Sequence, residues 1–299
     1  MNRTISSLLW VLALQCALAL AVFWPSPDSQ RTAHEPLVPL LRERVDVIYV
    51  GDEFDNETVL ARAGERWILP ELEDLPADSA MVDKLLEAIA TGDGAWPAAT
   101  TIAARQRFQV ASYHYRRRIR LFEGDGILAT IFLGTSPGFR KVYSRNESQD
   151  AIYSIPFNVH DAPGNSDAWL DRKLLQTRTP LGIVADGYSL QRDGETWLSG
   201  IGQAPDQREL LALLGALRSL QIEGLASEDE QRDLAAAEAD LVLKVESLAG
   251  AVTLELFHEG DRYFIHSSEY PLYFTISADD YDRLAGIDVG LISGEANLQ

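Results

Sequence analysis

Apolar positions along this chain follow three patterns. The first is a continuous run: from Ile5 to Trp24 only Ser6, Ser7 and Gln15 interrupt it. A helix crossing a bilayer needs about 20 such residues. The run predicts one transmembrane helix over residues 5–24, with Trp24 at the far interface and Pro25 ending it. Arg3 and the terminal amine precede the run, which keeps that end cytoplasmic and sends the remainder across. A cleaved signal peptide is the rival reading, because Ala17-Leu18-Ala19 and Ala19-Leu20-Ala21 offer small residues at the right spacing. Signal h-regions span about 7–15 residues, and here apolar residues continue past both sites, which favours a retained anchor. Cys16 lies inside the run behind Ala13-Leu14-Gln15, a poor context for lipidation.

The second pattern alternates with period two, beginning at Val45-Asp-Val-Ile-Tyr-Val50. It recurs around glycine-centred turns. Arg62-Ala-Gly-Glu-Arg-Trp67 matches Arg192-Asp-Gly-Glu-Thr-Trp197, and each predicts a hairpin: Val59 to Arg62 with Trp67 to Leu69, and Tyr188 to Gln191 with Trp197 to Leu198. The third pattern has helical spacing. After Pro76, Met81, Val82, Leu85 and Ile89 form one stripe that stops near Gly92. After Pro205, Leu210, Leu211, Leu214 and Leu217 form another. Further landmarks pair in order. Leu121-Phe-Glu-Gly-Asp125 parallels Phe257-His-Glu-Gly-Asp261, and Ile152-Tyr153 parallels Leu272-Tyr273. Asp171-Arg172 and Asp282-Arg283 are expected in short closing helices, the latter with Ser277 as N-cap. Only the first copy carries the stretch Leu133 to Tyr143.

These patterns predict an α+β protein of two related repeats, each a mainly antiparallel sheet with a helix packed on one face, behind one N-terminal membrane helix. The expected segments are an anchor over 1–24, a linker over 25–44 rich in Pro, Ser, Asp and Arg, a first repeat over 45–175 and a second over 176–299. Hydrophobic residues make up 46% and charged residues 24%, the balance of a folded chain. The net charge is −19, and with Arg3 the only charged side chain before the end of the apolar run the remainder carries −20, which disfavours binding to nucleic acid or anionic headgroups. The single cysteine, Cys16, leaves the remainder without a disulfide, so burial must hold it together.

Several stretches resemble the bacterial family catalogued as domain of unknown function 4340. They are Leu60 to Pro70, the Leu75-Pro-Ala-Asp78 helix entry, Leu133-Gly134 through Tyr143-Ser-Arg145, Ile152-Tyr153, and Trp169 to Leu175. The resemblance implies an envelope protein, often encoded beside ABC-type transport systems of the gliding-motility kind. It supplies no functional residues, and the second copy departs from the pattern.

Motifs that could carry chemistry point elsewhere on inspection. Gly134-Thr-Ser136-Pro-Gly138 fits a nucleophile elbow, but the residue after the serine is Pro137, which has no N–H for an oxyanion, and a strand rather than a helix follows. Gly124-Asp-Gly126 mimics a dinucleotide fingerprint but leads into the β-rich stretch Ile127 to Leu133, so it reads as a turn. No close metal-ligand pair occurs among His34, His114, His160, His258 and His266. A two-residue turn at Gly260-Asp261 would pair His258 with Tyr263 and His266 with Glu255. The acidic clusters at Asp52 to Asp55 and Glu71 to Asp74 lack calcium-loop spacing. No cofactor is expected.

One run opposes the overall charge: Arg105, Arg107, Arg116, Arg117, Arg118, Arg120, Arg140, Lys141 and Arg145. On a strand, Arg116, Arg118 and Arg120 share one face. They are either a solvated face neutralised by local carboxylates or a docking patch for an acidic partner or lipid headgroup. The sequence thus predicts a non-enzymatic accessory or scaffolding protein of the inner membrane, single-pass, with its bulk in the periplasm. Its expected partners are the membrane, through residues 5–24, and subunits of an ABC-type transporter. The alternative is a periplasmic module that binds a small molecule or peptide in a cleft between the repeats, lined by Tyr113, Tyr115, Trp169 and Tyr188.

Overall fold

The structure, a computed structural model, describes residues 42–91 and 96–294 together with Leu12, Gln15, Leu37 and Val38. The run over 5–24 otherwise lies outside them. Among the described residues no helix is long and apolar enough to cross a membrane.

Two eight-stranded antiparallel sheets form the framework of the fold. The first begins as a meander of β1 (Val47–Asp52), β2 (Glu57–Ala63), β3 (Arg66–Leu69) and the short β4 (Leu75–Pro76). Helix α1 (Ser79–Thr91) follows, then α2 (Ile102–Arg107) and a small hairpin of β5 (Val110–Ala111) and β6 (His114–Tyr115). A second meander, β7 (Arg117–Glu123), β8 (Gly126–Leu133), β9 (Val142–Asn146) and β10 (Tyr153–Ile155), completes the sheet. Strand β7 returns to pair with β1, so the order is β10-β9-β8-β7-β1-β2-β3-β4.

The second half repeats this plan. Strands β11 (Pro180–Ala185), β12 (Tyr188–Asp193) and β13 (Thr196–Ser199) form a meander. Then come α3 (Gln207–Ser219), β14 (Ile222–Leu225) and α4 (Glu228–Leu234). A four-strand meander of β15 (Leu241–Ser247), β16 (Gly250–Glu259), β17 (Arg262–Ser267) and β18 (Tyr273–Ile276) follows, and α5 (Ala278–Ala285) and α6 (Val289–Ile292) close the chain. Here β15 returns to pair with β11 as β7 does with β1. Seven strands thus share one order in both halves. Each sheet adds one extra edge strand, at opposite ends: β4 beyond β3, and β14 beyond β18.

The repeats agree in detail. Arg62 lies opposite Trp67 and Arg192 opposite Trp197. The two core helices are equal in length, and each starts on an aspartate: Asp78 Oδ1 accepts from the amides of Ala80 and Met81, and Asp206 Oδ1 from those of Arg208 and Glu209. Aligned on these caps, Leu85, Ala88 and Ile89 fall on Leu213, Ala216 and Leu217, and all six are buried. The stripe of α3 differs from the expected one at Leu211, which is 60% exposed; Leu213 takes the core position. Three leucines in Leu210-Leu211-Ala-Leu213 allow either choice by spacing, and the cap sets the phase.

One predicted correspondence is wrong. The tips Gly124-Asp125 and Gly260-Asp261 are both two-residue turns, but the first joins β7 to β8 and the second joins β16 to β17. By strand order β7–β8 corresponds to β15–β16, whose tip is Leu248-Ala249. The stretch Leu133 to Tyr143 sits between β8 and β9, where the second repeat has the Gly260 turn. Asp171-Arg172 also differs from expectation, lying in a turn rather than a helix, whereas Asp282-Arg283 lies in α5 with Ser277 capping it through the Asp280 amide at 3.0 Å.

Each sheet buries one face against its helix. In the first, Ile48, Val50, Leu60, Ile119, Leu121 and Ile131 are fully buried. Among the described residues the outer face is covered at the meander end, by α2 and the β5–β6 hairpin in the first repeat (over Phe132 and Ile152) and by α4 in the second (over Phe257 and Phe264). Both covers occupy the same place in the chain, between the core helix and the four-strand meander. The main core runs continuously through both halves. The segment 169–177 joins them. Asp78 N donates to Trp169 O at 2.7 Å and Asp171 N to Pro76 O at 2.9 Å, while Thr177 N donates to Leu217 O and Ile222 N to Arg172 O. Part of the expected linker is also tied down. Leu37 and Val38 are buried, and Asn146 Nδ2 donates to Leu37 O at 3.0 Å.

Candidate functional site

The arginine run folds onto β7 and its surroundings. Ile119 and Leu121 point into the core, so Arg118 and Arg120 project from the outer face, with Arg116 just before the strand. Glu57 on β2 bridges Arg118 (Nη2 to Oε1, 3.2 Å) and Arg120 (Nη2 to Oε2, 2.8 Å). Glu53 in the β1–β2 turn bridges Arg116 and Arg117, each at 3.2 Å. The Arg120 guanidinium also lies over the Tyr49 ring at 4.6 Å, and Arg118 over Tyr115 at 5.6 Å. These arginines therefore engage the protein's own carboxylates and rings. A consequence is that reversing Arg116, Arg118 and Arg120 together to Glu should do more than alter surface charge. It sets three new carboxylates against Glu53 and Glu57, and we expect stability to fall by roughly 1–3 kcal/mol, read from urea unfolding midpoints. An unchanged midpoint would show that the pairs carry no weight.

Arg145, expected in the same basic surface, is buried instead. Its Nε donates to Val110 O at 2.8 Å, and its Nη1 to the carbonyls of Asn146, Glu147 and Gln149. The guanidinium lies over Phe132 at 5.1 Å, and burial pushes its pKa down. Arg105 pairs with Asp150 beside it.

The proposed lining of an inter-repeat cleft does not assemble. Trp169 is fully buried, with its indole N–H bonded to Pro163 O at 2.8 Å. Tyr188 is 8% exposed and lies in the second repeat's core, where burial pushes its phenol up to about 12. Tyr115 packs on Phe132, and Tyr113 is exposed.

The serine of Gly134-Thr-Ser136-Pro-Gly138 bonds back onto its own turn, Oγ donating to Gly138 O at 2.6 Å. Gly134 itself is a packing glycine, since a β-carbon there would collide with the Phe108 carbonyl. His258 faces Tyr263, and His266 Nδ1 lies 3.0 Å from Glu255 Oε2, in the register the turn predicted. The Asp52 carboxylate accepts the amides of Phe54 and Asn56, which makes that acidic cluster a turn device.

Two cavities lie within the second repeat. One, of about 470 Å³, separates α3 from α5 beside Gly215, Ser219 and Arg283. The other, of about 190 Å³, is lined by Arg178, Arg192, Arg218, Glu195, Trp197 and Leu214, among others. Sequence reasoning missed the second because its arginines are far apart in the chain. A position-by-position alignment of the repeats would have exposed them.

A duplicated antiparallel-sheet protein with a helix-backed core is the class this geometry defines. The chain belongs to the family described as Domain of unknown function (DUF4340), whose pattern matches residues 67–240. The match begins in β3, runs through the first repeat, and ends just before β15. Neither the curated proteins nor the solved structures give a match.

Proposed function

We propose that this protein is a non-enzymatic accessory or scaffolding component of an ABC-type transport system, anchored in the inner membrane by residues 5–24 and folded in the periplasm. The observation that carries this reading is the apolar run over residues 5–24 with Arg3 before it, ahead of a cysteine-free body. The family resemblance supports the transport association. Tethering would confine both sheets near the transporter and raise their effective concentration there.

Detergent extraction of the tagged full chain, followed by affinity capture, should recover the membrane subunit of such a transporter. The same capture after replacing Leu12, Leu14 and Leu18 with Lys should recover none, with the protein now released by alkaline washing. Recovery of the chain in the soluble fraction before any substitution would refute the anchored reading.

A further inference from the structure

The second repeat carries a cationic cavity, and two of its three arginines stand where the first repeat has other residues. Aligning the hairpins on Arg62/Arg192 and Trp67/Trp197 places Val47 on Gly182, since these lie opposite Ala61 and Gln191. Counting back four residues puts Arg178 at the position of Glu43. Aligning the capped helices puts Arg218 at the position of Ala90. The third arginine is common to both repeats but used differently. In the first, Arg62 lies over Trp67 at 4.6 Å and its Nε donates to Val45 O at 2.9 Å. In the second, Arg192 is exposed, and its Nε donates only to the turn carbonyl of Gly194 at 3.0 Å.

Arg178, Arg192 and Arg218 thus meet around one cavity of about 190 Å³, with Trp197 in its wall. Among the described residues none of the three makes an ion pair, and the side chains of Arg178 and Arg218 make no hydrogen bond. Glu195 is the single acid in the wall, which leaves two positive charges uncompensated on a chain of net charge −19. Charge of this sign, held against the overall field, attracts a ligand of opposite charge at short range.

We propose that this cavity binds a phosphate monoester, with the guanidinium groups on the phosphate oxygens and the ester's organic group against Trp197. A carboxylate has two oxygens and one charge. A phosphate monoester presents three oxygens to three planar donors, and as a dianion it cancels the excess charge. The phosphate can come from a soluble ester or from the headgroup of an anionic phospholipid. The site is independent of the transport reading, since either can fail alone.

The test uses the full chain in a non-ionic detergent and titrates it calorimetrically at low salt. The probes are phenyl phosphate, dihexanoyl phosphatidic acid and dihexanoyl phosphatidylcholine. The key variant is Arg178→Glu with Arg218→Ala, which restores the first repeat's residues at both positions. Phenyl phosphate should bind the parent chain, and its affinity should fall at least about tenfold in the variant. Binding of phosphatidic acid alone, lost in the variant and absent with phosphatidylcholine, would assign the phosphate to a lipid. Arg192→Lys keeps the charge but removes the planar fork, and should weaken binding less than the double change. An unchanged melting temperature in all variants shows that the fold is intact. Binding of neither phosphate probe by the parent chain, or equal binding by parent and variant, overturns the proposal.

Discussion

Replacing Trp169 with alanine should lower the unfolding free energy by about 3–5 kcal/mol, the largest single-residue effect expected in this chain. The indole is fully buried and its N–H is bonded to Pro163 O. The residue also occupies the segment that stitches the repeats together, where its carbonyl accepts the Asp78 amide at the entry to α1. Removing the side chain therefore opens a cavity in a core that runs through both halves. Equilibrium unfolding in urea measures the loss. Trp169→Phe restores most of the volume but not the hydrogen bond, and should recover more than half of it. If alanine at this position shifted the midpoint no more than an exposed substitution such as Tyr113→Ala, the junction would not be a shared core.

The second large effect concerns Arg145. Arg145→Leu should cost about 3 kcal/mol, because four backbone carbonyls in a largely buried place lose the guanidinium donor, and of these Asn146 O keeps the Gln149 amide. The carbonyl of Val110 belongs to the β5–β6 cover, and the other three belong to the last residue of β9 and the turn after it. The loss should therefore be local as well as global. Hydrogen exchange should quicken first in residues 102–115 while the β11–β18 sheet keeps its protection. Arg145→Lys retains the charge but cannot reach carbonyls on two segments at once, so it should recover less than half of the stability. Uniform loss of protection across both sheets would contradict a role confined to the cover.

Much of the architecture could be read from local chemistry. The Arg62–Trp67 and Arg192–Trp197 hairpins, the two helices and the Ser277 cap all lie where spacing and capping rules place them. The false pairing of Leu121–Asp125 with Phe257–Asp261 shows where such rules stop. Gly64, Gly124, Gly194 and Gly260 each open a two-residue hairpin with φ between +54° and +64°, and an acidic residue follows each one. Glycine at the first turn position suits the type II′ geometry that joins twisted antiparallel strands, so the chain uses the same device at four hairpins. Two of these hairpins correspond between the repeats and two do not, and only strand order separates them. Periodicity was equally silent on Arg145, because a strand pattern states which face a residue is on but not whether another element covers that face. The arginine cavity escaped for a related reason. Its three residues come from before a strand, within a strand and the end of a helix.

Strand β15, not β16, is the partner of β11 and repeats the pairing of β7 with β1. Val184 then lies opposite Lys244 as Tyr49 lies opposite Arg120. Replacing Cys16 with Ser leaves a chain free of thiols, so paired cysteines report cleanly. Oxidation of Val184→Cys with Lys244→Cys, and of Tyr49→Cys with Arg120→Cys, should form an intramolecular disulfide in each case. Val184→Cys with Leu256→Cys, the pair that the matching turn sequences alone would bring together, should not. Cross-linking of that last pair in place of the first would show that the second sheet is not ordered as a copy of the first.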